Sequence, residues 1–310
     1  VDHIRLGFDQ IVLEEKPGVY RERTFRCIDN FIGWCREYKL NVVLNLHKAV
    51  GNYCDVPEPV ALLDDAGLQN RFVALWLEFE RRYHADNRIV FELLNEVKNV
   101  DPQAWNTLAA RTISEIRKLN PTRKIVIGST CWNNCHKLKD LQVFDDENVI
   151  YTFHFYDPFG FTHQRGVLQA GPLYYNRAMP YPGDIERYRD YKRFVEGAKN
   201  PYPRYQRMDI KVLREWLQPA FDFAKKHPDK ILWCGEFGTI RHCDMTSREN
   251  WMNDVILLLK EHGISYCVWN YLSTPNDGNR FSLVDDEKRH ILSPRMLAII
   301  QGRVEPLREE

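Results

Sequence analysis

The sequence predicts an α/β fold, a (β/α)8 barrel whose first βα unit is absent from this chain. Seven short apolar runs are typical of strands, and six of them are followed by a helical pattern, which indicates a parallel sheet covered by helices. Neither a GxGxxG motif nor a P-loop occurs, so a nucleotide-binding doubly wound sheet has no fingerprint here. Since no linker or short repeat interrupts the 310 residues, we expect one catalytic domain over residues 1–310.

Each strand prediction depends on a near-continuous apolar or β-branched run. The predicted strands cover residues 1–6, 41–47, 89–96, 124–129, 148–156, 231–236 and 265–270. Helices are predicted from apolar residues at helical spacing and from capping residues, such as Asp101 before Pro102. They cover residues 22–38, 68–83, 102–119, 209–226, 246–262 and 293–300.

Residues 157–208 are predicted to form one long connection, rich in Tyr, Pro, Gly and Arg. Connections of that length in a compact domain are usually functional or disordered. The aromatic content favours the functional reading, so we expect this segment to form a wall of a substrate cleft.

The charge balance limits the class of partner. The chain has 43 basic and 43 acidic residues, which gives no indication of a nucleic acid or an anionic membrane as partner. No apolar run has the length of a membrane-spanning helix. Aromatic residues make up 13% of the chain, and their flat faces suit sugar rings.

The eight cysteines do not predict a metal site, because no CxxC occurs and Cys131 and Cys135 form a lone CxxxC. We therefore expect no metal and no cofactor. Free thiols favour a reducing compartment, the cytoplasm. Secretion stays open, because the chain opens within a predicted strand and a signal peptide could have been removed. The oligomeric state is not predicted.

Two glutamates end buried strands. Asn95 and Glu96 follow the apolar run that starts at Ile89, and Glu236 ends the run that starts at Ile231. Chemistry in parallel α/β folds is done at the carboxyl ends of the strands. A retaining glycosidase needs two carboxyl groups about 5 Å apart, one as acid/base and one as nucleophile. We predict that pair to be Glu96 and Glu236.

Other strands also end in polar or aromatic residues, whereas a barrel interior is filled with Val, Ile and Leu. Each one alone has a structural explanation, for example a core histidine, but the set favours a binding site. We expect the Arg5 guanidinium and the Tyr156 phenol to keep Glu236 ionised. The side chains expected to bind sugar hydroxyls are the amide of Asn95 and the imidazoles of His47 and His154. The Trp269 indole is expected to form an apolar floor for the sugar ring.

Six segments carry a resemblance to glycoside hydrolase family 5, the cellulase and mannanase family of retaining (β/α)8 barrels. They are HIRL, NVVLNLH, FELLNE, TFHFYDPF, WCGEFG and VWNYL. The resemblance implies that Glu96 is the acid/base, Glu236 is the nucleophile, and the other strand-end residues bind substrate. Residues 157–164 also resemble bacterial endoglucanases of this family. The chain departs from the usual Asn-Glu-Pro pattern by having Val97 after Glu96.

Secondary expectations concern the loops. Trp132 and Asn133, after the strand at 124–129, are expected to line a sugar subsite. Lys48, Asn52 and Asp55 are expected to meet distal sugars. The reach of His163 and Gln164 is left open.

The function that these observations favour is retaining cleavage of β-1,4-glucosidic bonds in a glucan or gluco-oligosaccharide. A β-mannanase, or a mixed glucanase and mannanase, remains open because it would share the catalytic residues. A carbohydrate-binding protein on a decayed barrel is the non-enzymatic alternative. The absent first unit is its one support, and the intact pair of glutamates argues against it.

Overall fold

Seven strands form the main sheet in the computed structural model, which describes residues 2–274, 277–285 and 287–305. They are β1 (His3–Asp9), β2 (Asn41–Lys48), β3 (Ile89–Glu92), β4 (Ile125–Gly128), β5 (Val149–Phe155), β6 (Ile231–Phe237) and β7 (Ser265–Val268). The longer helices are α1 (Glu22–Glu37), α2 (Ala66–Tyr83), α3 (Pro102–Leu119), α4 (Ile185–Glu196), α5 (Ile210–Lys226), α6 (Met245–Glu261) and α7 (Pro294–Ile300). This alternation confirms the predicted α/β class.

Shorter elements lie in the connections. Four are single helical turns or little more: Gln10–Leu13, Thr130–Asn133, Phe159–Thr162 and Ala170–Tyr175. Two are 3₁₀ helices, Ala61–Leu63 and Cys135–Asp140. Two antiparallel pairs join Glu14–Lys16 to Val19–Tyr20 and Gly183–Asp184 to Arg207–Met208. Within the described residues, no helix is both long enough and apolar enough to cross a membrane.

Contacts divide the chain into two compact units. Unit 1 is the chain up to Phe153 together with Phe223–Trp233. Unit 2 is His154–Asp222 together with the chain from Cys234 onward. The expectation that residues 1–310 form one catalytic domain stays a prediction.

In unit 1 the strand order is β1-β2-β3-β4-β5-β6, and the pairs from β1 to β5 are parallel. The register places Gly7 beside Asn45 and Asn45 beside Glu92. The carboxyl half of β1, the carboxyl half of β2 and the last residue of β3 therefore lie side by side, toward the edge where the sequence predicts the chemistry.

Helix α2 covers β3 with aromatic side chains. Trp76 and Phe79 lie 5.1 Å and 6.2 Å from the ring of Phe91, and all three are fully buried. The Trp76 indole also donates to the carbonyl oxygen of Leu93 at 3.1 Å. This packing fixes the point at which the chain leaves β3, because burial of large rings is the main stabilising contribution of such a core.

In unit 2 the strand order is β5-β6-β7, and α6 contacts β7. Trp251 of α6 stacks on Phe155 with ring centroids 6.1 Å apart and donates to the carbonyl oxygen of Asp157 at 3.0 Å. The chain that follows β5 is thereby fixed at its first residues.

Residues 157–208, predicted as one long connection with no helix assigned to it, contain regular elements. Among them is α4, which begins at an Asp184 cap that accepts from the Glu186 amide at 2.9 Å and ends at Gly197 with φ +63°. The buried residues of α4 are Ile185, Tyr188 and Tyr191, a narrow stripe among charged neighbours. Two tyrosines in that stripe hide its apolar periodicity from a reading based on aliphatic residues.

Two strand ends differ from the prediction by three residues or more. β1 continues to Asp9, three residues beyond the predicted end, because its register with β2 continues through Phe8. β3 ends at Glu92, so residues 93–96 follow the strand instead of belonging to it.

Candidate active site

Arg5 organises the carboxyl edge of unit 1. Its Nε donates to Oε2 of Glu92 at 2.6 Å, and its Nη2 donates to Oε1 of Glu92 at 2.8 Å and to Oδ1 of Asn95 at 2.5 Å. Glu92 is fully buried and the Arg5 side chain is 3% exposed. A buried carboxylate needs a paired cation, and the guanidinium supplies one in a fixed geometry. Whether Arg5 also acts on Glu236, as expected from the sequence, stays a prediction.

Asn95 and His47 continue the same network. Nδ2 of Asn95 lies 3.5 Å from Nε2 of His47, and Nδ1 of His47 lies 3.0 Å from Oδ1 of Asn45. Since Oδ1 of Asn45 can only accept, we assign the proton to Nδ1 of His47, which leaves Nε2 as an acceptor. Each group thus donates to the next, and the amide of Asn95 turns its N–H donors away from Arg5.

Glu96 lies directly after Asn95, at the edge of the sheet. The Asn95 amide donates to the carbonyl oxygen of Leu46 at 2.9 Å, and the Glu96 carbonyl accepts from Nδ2 of Asn52 at 3.0 Å. Glu96 is partly exposed. Its backbone is therefore fixed on both sides while its side chain stands where a substrate could reach it.

The expectation that Asn52 meets distal sugars was wrong. Asn52 is 1% exposed, and its amide is directed to the Glu96 carbonyl instead of to solvent. Lys48 and Asp55 form a partly exposed ion pair at 2.6 Å, and their contact with sugars stays a prediction.

Trp132 is placed by an uncommon turn after β4. Residues 131–133 all have left-handed backbone angles, with φ of 57°, 57° and 55°. The indole is 43% exposed, and its Nε1 donates to the carbonyl oxygen of Cys54 at 3.0 Å. The turn presents a large aromatic surface, as a sugar subsite requires, and the role of Trp132 in such a subsite stays a prediction.

Unit 2 gathers three of the predicted residues around one oxygen atom. The Tyr156 hydroxyl donates to Oε2 of Glu236 at 3.0 Å, and Nδ1 of His154 lies 3.6 Å from the same oxygen. Glu236 and His154 are both 5% exposed. Hydrogen bonds to a carboxylate oxygen favour its ionised form, as a nucleophile needs.

Trp269 lies just after β7 and is anchored to β6. Its amide donates to the carbonyl oxygen of Phe237 at 2.9 Å, and the peptide bond between Trp269 and Asn270 is cis. A Cβ at Gly238 would lie 2.1 Å from the Trp269 carbonyl oxygen. Only glycine at that position allows so close an approach of the two strand ends.

His163 lies next to Tyr156. The sequence left open whether His163 contacts substrate. Its ring stacks on Phe159 at 3.9 Å and meets the Tyr156 ring edge-on at 5.1 Å. Burial lowers the pKa of His163 to about 3, so the imidazole is neutral at ordinary pH. Gln164 is buried and bonds both the amide and the carbonyl of Met179, which makes it a structural residue of the loop.

Glu92 was missed in the sequence, and the expectation that Asn133 lines a sugar subsite was wrong, because Asn133 is fully buried. Glu92 interrupts an apolar strand, and a carboxylate in such a run must have a buried partner, so this signal could have been used. Asn133 donates from Nδ2 to the Asn95 carbonyl, and nothing in its local sequence indicates that contact.

Comparisons with known proteins agree with this arrangement. A family model described as cellulase (glycosyl hydrolase family 5) matches residues 1–274. Endoglucanase C of Acetivibrio thermocellus is 38% identical over 281 residues, which cover 87% of this chain and 80% of that protein. Cellodextrinase A of Ruminococcus flavefaciens is 32% identical over 270 residues, 85% of this chain and 72% of that protein.

Solved structures give the same result for the fold. The crystal structure of endoglucanase Cel5A from Thermotoga maritima matches with a TM-score of 0.76 and 25% identity, covering 96% of this chain and 85% of that one. The predicted (β/α)8-barrel fold family is confirmed by this match. The chain belongs to glycosyl hydrolase family 5, the cellulase family, and is a cellulase-type glycoside hydrolase.

Proposed function

We propose that the enzyme cleaves β-1,4-glucosidic bonds in a glucan or gluco-oligosaccharide with retention of anomeric configuration. Glu236 is the nucleophile and Glu96 is the acid/base. The names of the relatives above, an endoglucanase and a cellodextrinase, support the substrate class. The observation that carries the mechanism is the buried Glu236 carboxylate, which receives the Tyr156 hydroxyl at the end of β6.

In the first step Glu236 attacks the anomeric carbon while Glu96 protonates the departing glycosidic oxygen, which forms a covalent glycosyl-enzyme. In the second step Glu96 removes a proton from water, which attacks the same carbon and releases Glu236. The bond from Tyr156 keeps Glu236 ionised between turnovers. This mechanism needs no metal and no cofactor.

Substrate contacts follow from the network of unit 1. Arg5 occupies Oδ1 of Asn95 and His47 accepts one of its N–H groups, so the amide offers its second N–H to the sugar hydroxyl next to the reacting carbon. Such a bond strengthens as charge develops in the transition state. His47 and His154 bind further hydroxyls, Trp269 forms the floor for the sugar ring, and Trp132 lines a more distant subsite.

Azide rescue tests the two roles. Glu236→Ala should lose most turnover of an activated aryl β-cellobioside, and azide should restore it with the α-glycosyl azide as product. Glu96→Ala should accumulate the glycosyl-enzyme, and azide should give the β-glycosyl azide. Glu261→Ala, which removes a surface partner of Arg214, is the matched control and should keep the parent rate. Near-parent rates in both active-site variants, or exchanged azide products, would contradict the assignment.

A hydrolysis panel tests the substrate. Barley glucan and cello-oligosaccharides should be cleaved at least about tenfold faster than mannan, because the relatives with 30% identity or more bear the names of glucan-cleaving enzymes. Equal rates would favour the mixed activity. Tight binding of cello-oligosaccharides without any turnover would favour a carbohydrate-binding protein.

We also propose that residues 1–310 act as one catalytic domain in a reducing compartment. All eight cysteines lie within the described residues, none of them is joined in a disulfide, and four are buried, which supports a compartment that keeps thiols reduced. A single calorimetric transition and a cytoplasmic location in cell fractions would support this proposal. Two transitions, or recovery from the medium, would contradict it.

A further inference from the structure

The backbone that carries Glu96 leaves the sheet after β3, yet each carbonyl of residues 95–98 accepts a hydrogen bond from outside the segment. The donors are Nδ2 of Asn133 for Asn95, Nδ2 of Asn52 for Glu96 at 3.0 Å, the amide of Trp132 for Val97 at 2.9 Å, and the amide of Cys131 for Lys98 at 3.2 Å. Buried carbonyl groups need such partners. The side-chain amides of Asn133 and Asn52 therefore donate to the carbonyls of Asn95 and Glu96, as the backbone amides of a neighbouring strand do inside a sheet.

Asn52 is fixed in place by its own turn. Its amide donates to the Ala49 carbonyl at 2.9 Å, and Gly51 before it has φ +88°. A Cβ at Gly51 would lie 2.7 Å from the backbone nitrogen of Leu62, so the position requires glycine. The carboxamide of Asn52 thus reaches Glu96 from a tightly packed turn.

Asn133 is fixed as firmly. It is fully buried and ends the left-handed run at 131–133, and a Cβ at Gly128 would lie 2.2 Å from its side-chain oxygen. Residues other than glycine are strained in the left-handed region, because Cβ approaches the following carbonyl oxygen. Backbone of that kind persists where the surroundings determine it, and it is concentrated at functional sites.

We propose that Asn52 is a positioning residue for the acid/base, with Asn133 as a second support, which rests on the proposed role of Glu96. The peptide between Glu96 and Val97 sets the direction of the Glu96 Cα–Cβ bond, and the Asn52 amide fixes that peptide through its carbonyl. Proton transfer to the glycosidic oxygen depends on hydrogen-bond distance, and a shift of about 1 Å can cost about 10²-fold in rate. Asn52 thereby acts on proton delivery without touching the sugar.

Leaving-group dependence tests the inference. Asn52→Ala removes the donor, and Asn52→Asp keeps the shape but replaces the donor with an acceptor. On phenyl β-cellobioside, whose departure needs protonation, kcat/KM should fall about 30- to 100-fold. On dinitrophenyl β-cellobioside, whose departure needs little protonation, the fall should be less than about fivefold. A general structural defect would lower both rates by the same factor.

Asn106→Ala is the matched control, because Asn106 is also a buried asparagine whose Nδ2 donates to a backbone carbonyl, that of Asp140 at 3.0 Å. It should leave both rates near the parent values. All rates are measured where circular dichroism shows the protein folded, and Asn52→Asp decides the question if Asn52→Ala does not fold.

Glu96→Ala, assayed in parallel, separates the two levels of the proposal. If Glu96→Ala shows the leaving-group dependence and neither Asn52 variant does, the positioning role is overturned and the proposed function stands. If Glu96→Ala shows no such dependence, the proposed function fails and the positioning role fails with it.

Discussion

Unit 1 contains two buried arginine–glutamate pairs with nearly the same geometry. Arg123 donates from Nε to Oε2 of Glu80 at 2.7 Å, and Arg5 donates from Nε to Oε2 of Glu92 at 2.6 Å. Both glutamates are fully buried. A buried pair of this kind is costly to desolvate, so it is weak evidence for stability by itself.

The two pairs differ in the other partners of the arginine. Arg123 also donates to the carbonyl oxygens of Tyr83, Asp86 and Ile89 at 2.7, 2.8 and 2.6 Å, and so ties the end of α2 to the start of β3. Arg5 instead donates to the Asn95 side chain, next to Glu96. The same kind of ion pair therefore has two uses. The Arg123–Glu80 pair fixes the backbone at the amino end of β3, and the Arg5–Glu92 pair fixes a functional side chain beyond its carboxyl end.

The largest expected effect is the loss of stability when the Arg123–Glu80 pair is broken. Arg123→Met should lower the free energy of unfolding by about 3–5 kcal/mol, because it removes the guanidinium that compensates the buried Glu80 charge. The kcat of the folded protein should stay within about threefold of the parent value. Urea unfolding and active-site titration measure the two quantities, and a large fall in kcat would remove the distinction between the pairs.

Arg5→Met should act mainly on turnover. We expect kcat/KM on a cello-oligosaccharide to fall about 10²- to 10³-fold, since the amide of Asn95 loses the partner that orients it. Stability should fall as well, because Glu92 is left without the guanidinium. If the folded variant kept the parent kcat/KM, Arg5 would belong with Arg123 as a structural residue.

Double replacement sharpens the comparison. Arg5→Met with Glu92→Leu removes both charges, and should recover about 2 kcal/mol or more of the stability lost in Arg5→Met while staying inactive. Arg123→Met with Glu80→Leu should recover less, since three backbone carbonyls remain without their donor. Equal recovery in the two double variants would show that the backbone contacts of Arg123 contribute little.

A third buried carboxylate, in unit 2, has neutral partners. Asp254 accepts from the Tyr181 hydroxyl at 2.8 Å and from Asn253 at 3.3 Å, and burial raises its pKa to about 6. Because the folded pKa lies above the unfolded value, stability should fall as pH rises from about 4 to about 6 and then stay level. Asp254→Asn should remove this fall and add on the order of 1–3 kcal/mol at pH 7, with little effect at pH 4. Chemical unfolding across that pH range measures it, and an unchanged pH dependence would contradict the assignment.

Much of the site could be predicted from single strand ends. Arg5, His47, Asn95, His154, Tyr156 and Glu236 each follow or end an apolar run, and the structure places the first three in one network and the last three in another. The roles of the two glutamates remain predictions. Glu92 was missed, and Asn133 was wrongly assigned to a sugar subsite, because their partners Arg5 and Asn95 lie 87 and 38 residues away along the chain.

Asn52 and α4 show why the remainder could not be predicted. The residue before Asn52 is a glycine in a loop rich in Pro and Asp, and nothing local indicates whether such an asparagine turns to solvent or to the backbone of Glu96. Helix α4 has too few aliphatic residues for its period to stand out. In both cases the deciding contacts come from chain segments distant in sequence.

The sequence by itself determined the α/β class, the order of strands and helices, and the residues that stand where the strands end, because apolar periodicity and the parallel arrangement fix those features locally. Only the tertiary structure decided which polar groups pair with which. It gave Arg5 to Glu92 and Asn95, turned Asn52 toward the Glu96 carbonyl, and brought Tyr156 to Glu236. Pairing of that kind depends on register and on the need of every buried polar group for a partner, which are properties of the folded chain as a whole.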